Sequence, residues 1–296
     1  MPPISVVVAS KVGAPFIQQC LESIRREAVA LEAEVLVVVN EPAYAARVAE
    51  EFPWTRVVLD PSLSKVPAMR RRGVEEARGD LVAIIEEHCS AGEDWLHQSI
   101  SALSSGPQVA AGGAISDYGY ARVRDWVVYF CEYNGSLPPA PRGETGHLND
   151  ANIVYRRSVL LEHLPLLDEG YWPMTLHPVL LAKGMTLRSV PEMVVYHRGP
   201  FNFGYYLHQR FLFSKAFTGV RARTRPVHWR AAYLLGAPLM PLLLLARMTR
   251  TVVRKGHRVP QFLRALPLTI PALVVLVAGE WVGCLVGPGD ALSKVE

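Results

Sequence analysis

Three side chains able to hold a metal close an apolar run. Leu81–Ile85 reads Leu-Val-Ala-Ile-Ile, and Glu86, Glu87, His88 and Cys89 follow at once. Five apolar residues after Gly79-Asp80 describe a strand buried on both faces, as in a parallel sheet. Side chains at the carboxyl end of such a strand project into the crevice where open α/β sheets bind ligands. Two carboxylates and an imidazole there, with Asp94-Trp95 just beyond, have the chemistry of a divalent-cation site that holds phosphates. Alternate residues of an extended segment share a face, which pairs Glu86 with His88 towards the cation and turns Glu87 elsewhere. Hard oxygen ligands suit Mg²⁺ or Mn²⁺, and the imidazole shifts the preference towards Mn²⁺. The competing reading is a plain polar strand-to-loop transition, and the flanking elements decide between them.

Those elements repeat one unit. Ile4–Ala9 is a Val-rich strand, and after Ser10-Lys11-Val12-Gly13 the apolar positions Phe16, Ile17, Cys20, Leu21 and Ile24 recur at helical spacing. The pattern then predicts a strand over Glu34–Val39, a short helix over Tyr44–Glu51 and a strand over Thr55–Leu59. A basic helix over Val66–Ala77 leads into the strand Leu81–Ile85. This alternation implies right-handed crossovers and a doubly wound, mostly parallel, Rossmann-like sheet. Neither Gly-x-Gly-x-x-Gly nor Gly-x-x-x-x-Gly-Lys follows the first strand, which argues against a dehydrogenase or a P-loop nucleotide site.

Six segments in order resemble the family 2 glycosyltransferases with the GT-A fold, from about Ile4 to about His197. They are Ile4-Ser-Val-Val-Val-Ala, Cys20-Leu-Glu-Ser-Ile, Glu34-Val-Leu-Val-Val-Val-Asn, Arg70-Arg-Arg-Gly-Val-Glu-Glu-Ala-Arg-Gly-Asp, Ala151-Asn-Ile-Val-Tyr-Arg-Arg and Val194-Val-Tyr-His197. Glu86-Glu87-His88 falls where that family carries its Asp-x-Asp motif. The resemblance implies transfer of a sugar from a nucleotide-sugar donor, with Mn²⁺ or Mg²⁺ stabilising the diphosphate leaving group. It implies metal contacts from Glu86, His88 and His197, and a diphosphate contact from Arg198. Asn40, Glu41, Arg70 and Glu87 are the remaining donor-side candidates, Glu87 towards the ribose or the sugar.

Two departures matter. The position usually taken by a nucleotide-binding Asp reads Val39, with Asn40 and Glu41 next. The position of the usual catalytic carboxylate, counted back from Gly184 along Trp172–Gly184, reads Pro173. An inverting transfer needs a group to take the acceptor's proton. Asp168, Glu169, Asp150 and His177 are the substitutes within reach, unless the acceptor is already an anion such as a polyprenyl phosphate. A catalytically dead copy that binds a nucleotide sugar or a membrane partner is the rival reading.

The last third points to a membrane. Ala231–Ala246 holds sixteen residues without a charge, and Ala265–Gly289 holds twenty-five with Glu280 as the sole charge. The first block spans only about 24 Å as a helix, short of the roughly 30 Å hydrocarbon core, and Pro238 and Pro241 break it. Arg221, Arg223, Arg225 and Arg230 precede it. Arg247, Arg250, Arg254, Lys255, Arg258 and Arg264 separate it from the second. Both basic clusters lie on the cytoplasmic side only if the first block re-enters or lies in the interface. The expected organisation is a catalytic domain over 1–200, an aromatic juxtamembrane segment over 201–230, two apolar membrane helices over 231–289 and a tail over 290–296. Phe201–Phe217 is either an interfacial aromatic platform or a helix packed on the catalytic domain. Met1-Pro-Pro leads straight into the first strand, which places the catalytic part in the cytoplasm. The formal charge of +4 is small and its basic residues cluster near the apolar blocks, so nucleic acid is not indicated. Cys20, Cys89, Cys131 and Cys284 lack zinc-type spacing, and Cys20 and Cys89, in segments expected to be buried, read as reduced cytosolic thiols.

Overall fold

The structure, a computed structural model, describes residues 2–11, 15–104, 106–168, 170, 172–199, 202–223 and 225–295. The chain forms two compact units, 1–118 with 138–198, and 119–137 with 199–296.

The first unit opens with β1 (Ile4–Ala9), α1 (Phe16–Ala30), β2 (Glu34–Val39), α2 (Pro42–Glu51), β3 (Arg56–Leu59), α3 (Val66–Glu76) and β4 (Leu81–Ile85). Its strands pair in parallel in the order β3-β2-β1-β4. Their residues are nearly all apolar because helices cover both faces; every residue of β4 is buried. Pro42 supplies the preset φ of a first helical residue, which starts α2 two residues before the pattern Tyr44–Glu51 suggested.

The chain continues through β5 (Cys89–Ala91), α4 (Trp95–Ser104), β6 (Ala110–Asp117), α5 (Val123–Tyr133), β7 (Gly143–Thr145), β8 (Asn152–Arg156), α6 (Arg157–Glu162), α7 (Trp172–Ala182) and β9 (Leu187–His197). All but α5 belong to the first unit. Here the sheet becomes mixed: β8 is antiparallel to β4 and β6, β9 runs parallel to β6, and short β5 and β7 pair antiparallel with β9. Buried Asn152 ties this half together. Its Nδ2 donates to the carbonyls of Ala114 and Met193, and its Oδ1 accepts from Trp95 Nε1 at 2.8 Å.

The strand order reverses between β1 and β4, so the ends of these two strands flank the crevice expected to take a ligand. Gly73 sets how closely α3 approaches it. A Cβ at Gly73 would fall 2.3 Å from Val7 Cγ1 on β1, so only glycine lets the helix lie this low on the sheet. That depth carries Arg70, one turn earlier, into the interior.

The second unit joins α5 to α8 (Phe203–Arg223), α9 (Val227–Gly236), α10 (Met240–Lys255) and α11 (Val259–Val286). α8 and α11 touch backbone to backbone: added Cβ atoms at Gly279 and Gly283 would lie 2.4 Å from Phe211 O and 2.3 Å from Lys215 O. The matched four-residue steps show that these helices run parallel, with small residues at the seam as in GxxxG contacts. Phe130 of α5 meets Phe262 of α11 edge-on at 5.1 Å, and Tyr129 bonds His257 at 3.1 Å. The break expected at Pro238 and Pro241 is a 3-10 turn, Ala237–Leu239, between α9 and α10. Val227–Lys255 and Val259–Val286 are long and apolar enough to cross a membrane, with mean hydropathies of 1.6 and 2.0. Leu235, Leu242 and Leu243 in the first and Leu263, Val274 and Val286 in the second are exposed.

Candidate active site

The end of β4 gathers the charged residues of the first unit. Glu86 Oε2 and His88 Nε2 lie 3.0 Å apart, brought together by a turn in which the Cys89 N–H bonds Glu86 O at 2.8 Å and not by the extended alternation the sequence suggests. Arg70, 2% exposed, places Nη2 3.0 Å from the other Glu86 oxygen, and its Nη1 donates to Asp150. Its guanidinium bridges Glu86 and Asp150 and orients Glu86. The ring of His197, the last residue of β9, meets the His88 ring edge-on at 5.2 Å.

Burial works against ionisation of Glu86. The charge and hydrogen bond of His88 and then the charge of Arg70 outweigh it and hold this carboxyl well below the usual range. For His88 burial is again opposed, here by the charge and hydrogen bond of Glu86, which raise it above its ordinary value. His197 is pushed well below its ordinary value by burial and then by His88, which leaves a neutral imidazole. One ionised carboxylate beside two imidazoles fits a divalent cation, which would take the place of the proton between Glu86 and His88.

Cys89 adds a donor that the sequence reading passed over. The ligand atoms of Glu86, His88 and Cys89 all lie within 4.8 Å of one another. The thiol is fully buried, and burial raises it well above its ordinary value. Its adjacency to Glu-x-His was the available signal. Zinc-type spacing between cysteines missed it because the partners are a carboxylate and an imidazole.

The donor-side candidates have internal partners. Buried Glu87 accepts from Ser10 Oγ and from the Lys11 backbone N–H at 2.9 Å, which fixes the chain just past β1. Asn40 Nδ2 donates to Leu63 O at 2.8 Å and holds the loop before α3. Glu41 caps α2, accepting from the N–H groups of Ala43 and Tyr44. Arg198 lies over the Tyr118 ring at 3.5 Å and donates from Nε to Ser90 Oγ at 2.6 Å, with its own N–H bonded to His88 O.

The substitutes for the missing carboxylate separate in space. Asp150 joins Glu86 through Arg70. Burial pushes Asp150 above the usual carboxylate range; Arg70 pulls it back, and Glu86 adds to the rise. Asp168 does not enter this cluster. It accepts from Arg71 and, with Arg71, Arg72 and Glu75, lines a cavity of about 420 Å³ beside α3. Glu169 lies outside the described residues, as does Phe201. Pro173 occupies the first turn of α7, where its missing N–H leaves no bond unmade.

His177 is buried, with Nε2 2.7 Å from Tyr155 Oη, and burial followed by the charge of His147 lowers it to about 3. A neutral, enclosed imidazole of this kind supports the core and is poorly suited to taking an acceptor proton. Its folded pKa lies below the ordinary unfolded value near 6.5, so unfolding takes up a proton in acid. The stabilisation is therefore complete above about pH 6.5 and is lost as pH falls towards 3, by at most about 1.4 kcal/mol per pH unit. Thermal melts from pH 7 to 4 are expected to show a shallower decline for His177→Gln than for the wild type. Parallel declines would show that His177 is not the group titrating.

A family model described as Glycosyl transferase family 2 matches residues 5–164. The structure is similar to a mannosyltransferase, PcManGT, from Pyrobaculum calidifontis, solved in complex with GDP-Man and Mn²⁺. The TM-score is 0.56 at 17% identity, over 96% of this chain and 85% of that one. It is also similar to GalNAc-T7 solved with UDP, GalNAc and Mn²⁺, at TM-score 0.51 and 13% identity, over 68% of this chain and 44% of that one. No curated protein matches the chain in sequence. The mixed, mostly parallel sheet is thus of the GT-A type.

Proposed function

The chain belongs to glycosyl transferase family 2 and is a glycosyltransferase, and we propose that it moves a sugar, with inversion, from a nucleotide-sugar donor to a lipid-linked or polyprenyl-phosphate acceptor at the cytoplasmic face of a membrane. The observation that carries this reading is the Glu86–His88 pair at the end of β4, beside the switch point of the sheet.

In this reading Glu86, His88 and His197 hold Mn²⁺ or Mg²⁺. The cation supplies charge stabilisation for the departing diphosphate. Arg70 keeps one Glu86 oxygen engaged and leaves the other aimed at His88. Glu87 and Asn40 brace the loops around the nucleotide. Arg198, oriented by Tyr118 and Ser90, is the diphosphate contact. Asp150 is the proton acceptor where the acceptor presents a hydroxyl, whereas a polyprenyl phosphate arrives ionised and needs none. PcManGT and GalNAc-T7, both solved with Mn²⁺, favour that ion.

The membrane part of the proposal rests on the apolar faces of α10 and α11 and the arginines that flank them. Arg221 lies 5.2 Å over the Trp229 ring and 5.4 Å over Tyr233, an arrangement of cation and aromatic suited to a headgroup layer. The deciding experiment incubates the full-length protein with a panel of nucleotide sugars, Mn²⁺ and polyprenyl-phosphate liposomes. Release of a nucleoside diphosphate together with a glycosylated lipid is expected from one donor. Donor binding without any turnover would favour the non-catalytic reading, which Pro173 suggests.

A further inference from the structure

β9 runs between β6 and β5, and its last residues show two different faces. Register pairs Asp117 and Cys89 with His197, and Ser116 and Ser90 with Tyr196. Partners across a sheet share a face, and successive residues of a strand alternate. Asp117, Cys89 and His197 are buried on one face. On the other, Tyr196 is 37% exposed, and Tyr118, just past β6, is 54% exposed. The two rings stand at 86° with their centroids 6.0 Å apart. Arg198 lies over the Tyr118 ring at 3.5 Å, with its Nε held by Ser90 Oγ. Tyr196 leans over Gly92, where an added Cβ would lie 3.5 Å from its Cε2.

A lone exposed aromatic asks for no explanation. Two rings at right angles, one of them braced by an arginine that a buried serine holds, make a corner formed before any ligand arrives. A sugar ring has a face of C–H groups and a rim of hydroxyls. One tyrosine ring covers such a face, while the tyrosine hydroxyls, Ser116 and the guanidinium offer hydrogen bonds to the rim. A lipid chain needs an unbroken apolar wall, which these polar groups interrupt. Position favours the acceptor over the donor. The nucleotide belongs at the switch point between β1 and β4, and β6 and β9 lie beyond β4 on the side away from β1. The Arg198 N–H bonds His88 O at 2.9 Å and ties the corner to the Glu86–His88 pair.

We propose that Tyr118 and Tyr196 form an acceptor subsite that stacks the terminal sugar ring of a glycosylated lipid, so that this transferase extends an existing glycan. The acceptor is then a hydroxyl. Its oxygen bonds the donor's anomeric carbon as the bond from that carbon to the diphosphate breaks. The hydroxyl proton passes to Asp150, and the electron pair leaves with the diphosphate. This assignment rests on the reading of the β4 end as the transfer site, whereas sugar binding at the two rings does not.

The test uses the full-length protein in phosphatidylcholine nanodiscs. Methyl glycosides of mannose, glucose, galactose and N-acetylglucosamine serve as soluble probes, with methyl phosphate as the acceptor lacking a sugar. One glycoside should be glycosylated, and its ring C–H protons should take saturation from the protein in saturation-transfer NMR. Tyr196→Ala should abolish that saturation and raise the acceptor KM about 10-fold, the size of one aromatic contact, with the donor KM unchanged. Tyr196→Phe should restore both. Tyr118→Ala also unseats Arg198 and should raise both KM values. Transfer to methyl phosphate and to no glycoside overturns the proposal. So does saturation of no glycoside, or an acceptor KM that folded Tyr196→Ala leaves unchanged. A donor KM that rises with Tyr196→Ala places the ring on the donor and overturns it equally. Glycoside saturation that Tyr196→Ala removes, in a protein that turns over no donor, would instead overturn the transfer reading and keep the sugar subsite.

Discussion

His88→Ala is expected to lower Mn²⁺-dependent nucleotide affinity by at least about 100-fold while leaving the fold intact. His88 is partly exposed, at the turn between β4 and β5, and its ring fills no core position. Its removal takes one nitrogen from the cation and leaves Glu86 still paired to Arg70. Glu86→Ala is the less discriminating probe. It strips Arg70 of one of its two carboxylates, and an under-compensated buried guanidinium destabilises the protein for reasons unrelated to metal. Calorimetry of nucleotide binding with and without Mn²⁺ separates the effects: His88→Ala should remove the metal-dependent part of the affinity and keep the rest. Unchanged Mn²⁺ dependence in the folded variant would take the pair out of the site. The same variant should lose turnover in proportion, because the diphosphate would then depart without its counter-charge.

The pair itself was legible in the sequence because it follows from local geometry. A buried strand must end where apolar residues stop, and the polar residues there meet at its carboxyl end, although a turn closed by the Cys89 N–H on Glu86 O is what sets Glu86 beside His88. The parallel half of the sheet was legible for the same reason, since apolar runs and helical spacing lie within single segments. Partnerships between segments were not. The sequence marks Arg70 as a donor-side candidate but not its partners: the close approach allowed by Gly73 buries it between Glu86 and Asp150. Glu41 and Glu87 resembled free carboxylates, yet each answers backbone N–H groups that local sequence does not reveal. α5 lies within the expected 1–200 block but joins the C-terminal helices, through contacts such as Phe130 with Phe262 and Glu132 with Arg210. No pattern inside α5 announces partners more than seventy residues away.

The second large effect is expected at Asp150. Pro173 has no proton to exchange, so a transfer to a hydroxyl acceptor needs another base. Asp150 satisfies two requirements together: it is joined to Glu86 through one arginine, and burial raises its pKa above the usual carboxylate range, which favours taking a proton. Asp168, held by Arg71 beside the cavity along α3, is not joined to Glu86. Asp150→Asn should therefore reduce turnover by about 10²–10⁴-fold, with Mn²⁺-dependent donor binding retained because Glu86 and His88 are untouched. Asp168→Asn should leave turnover close to wild type. The asparagine keeps the shape and can still accept from Arg70, which limits the loss to the proton transfer. Stability measured alongside activity checks that the buried arginine tolerates the change. If folded Asp150→Asn turns over like the wild type, and Glu169→Gln does too, no side chain is taking a proton. The acceptor must then arrive already ionised. A phosphate oxygen meets that requirement, and Pro173 would be the mark of a site that never had to deprotonate its nucleophile.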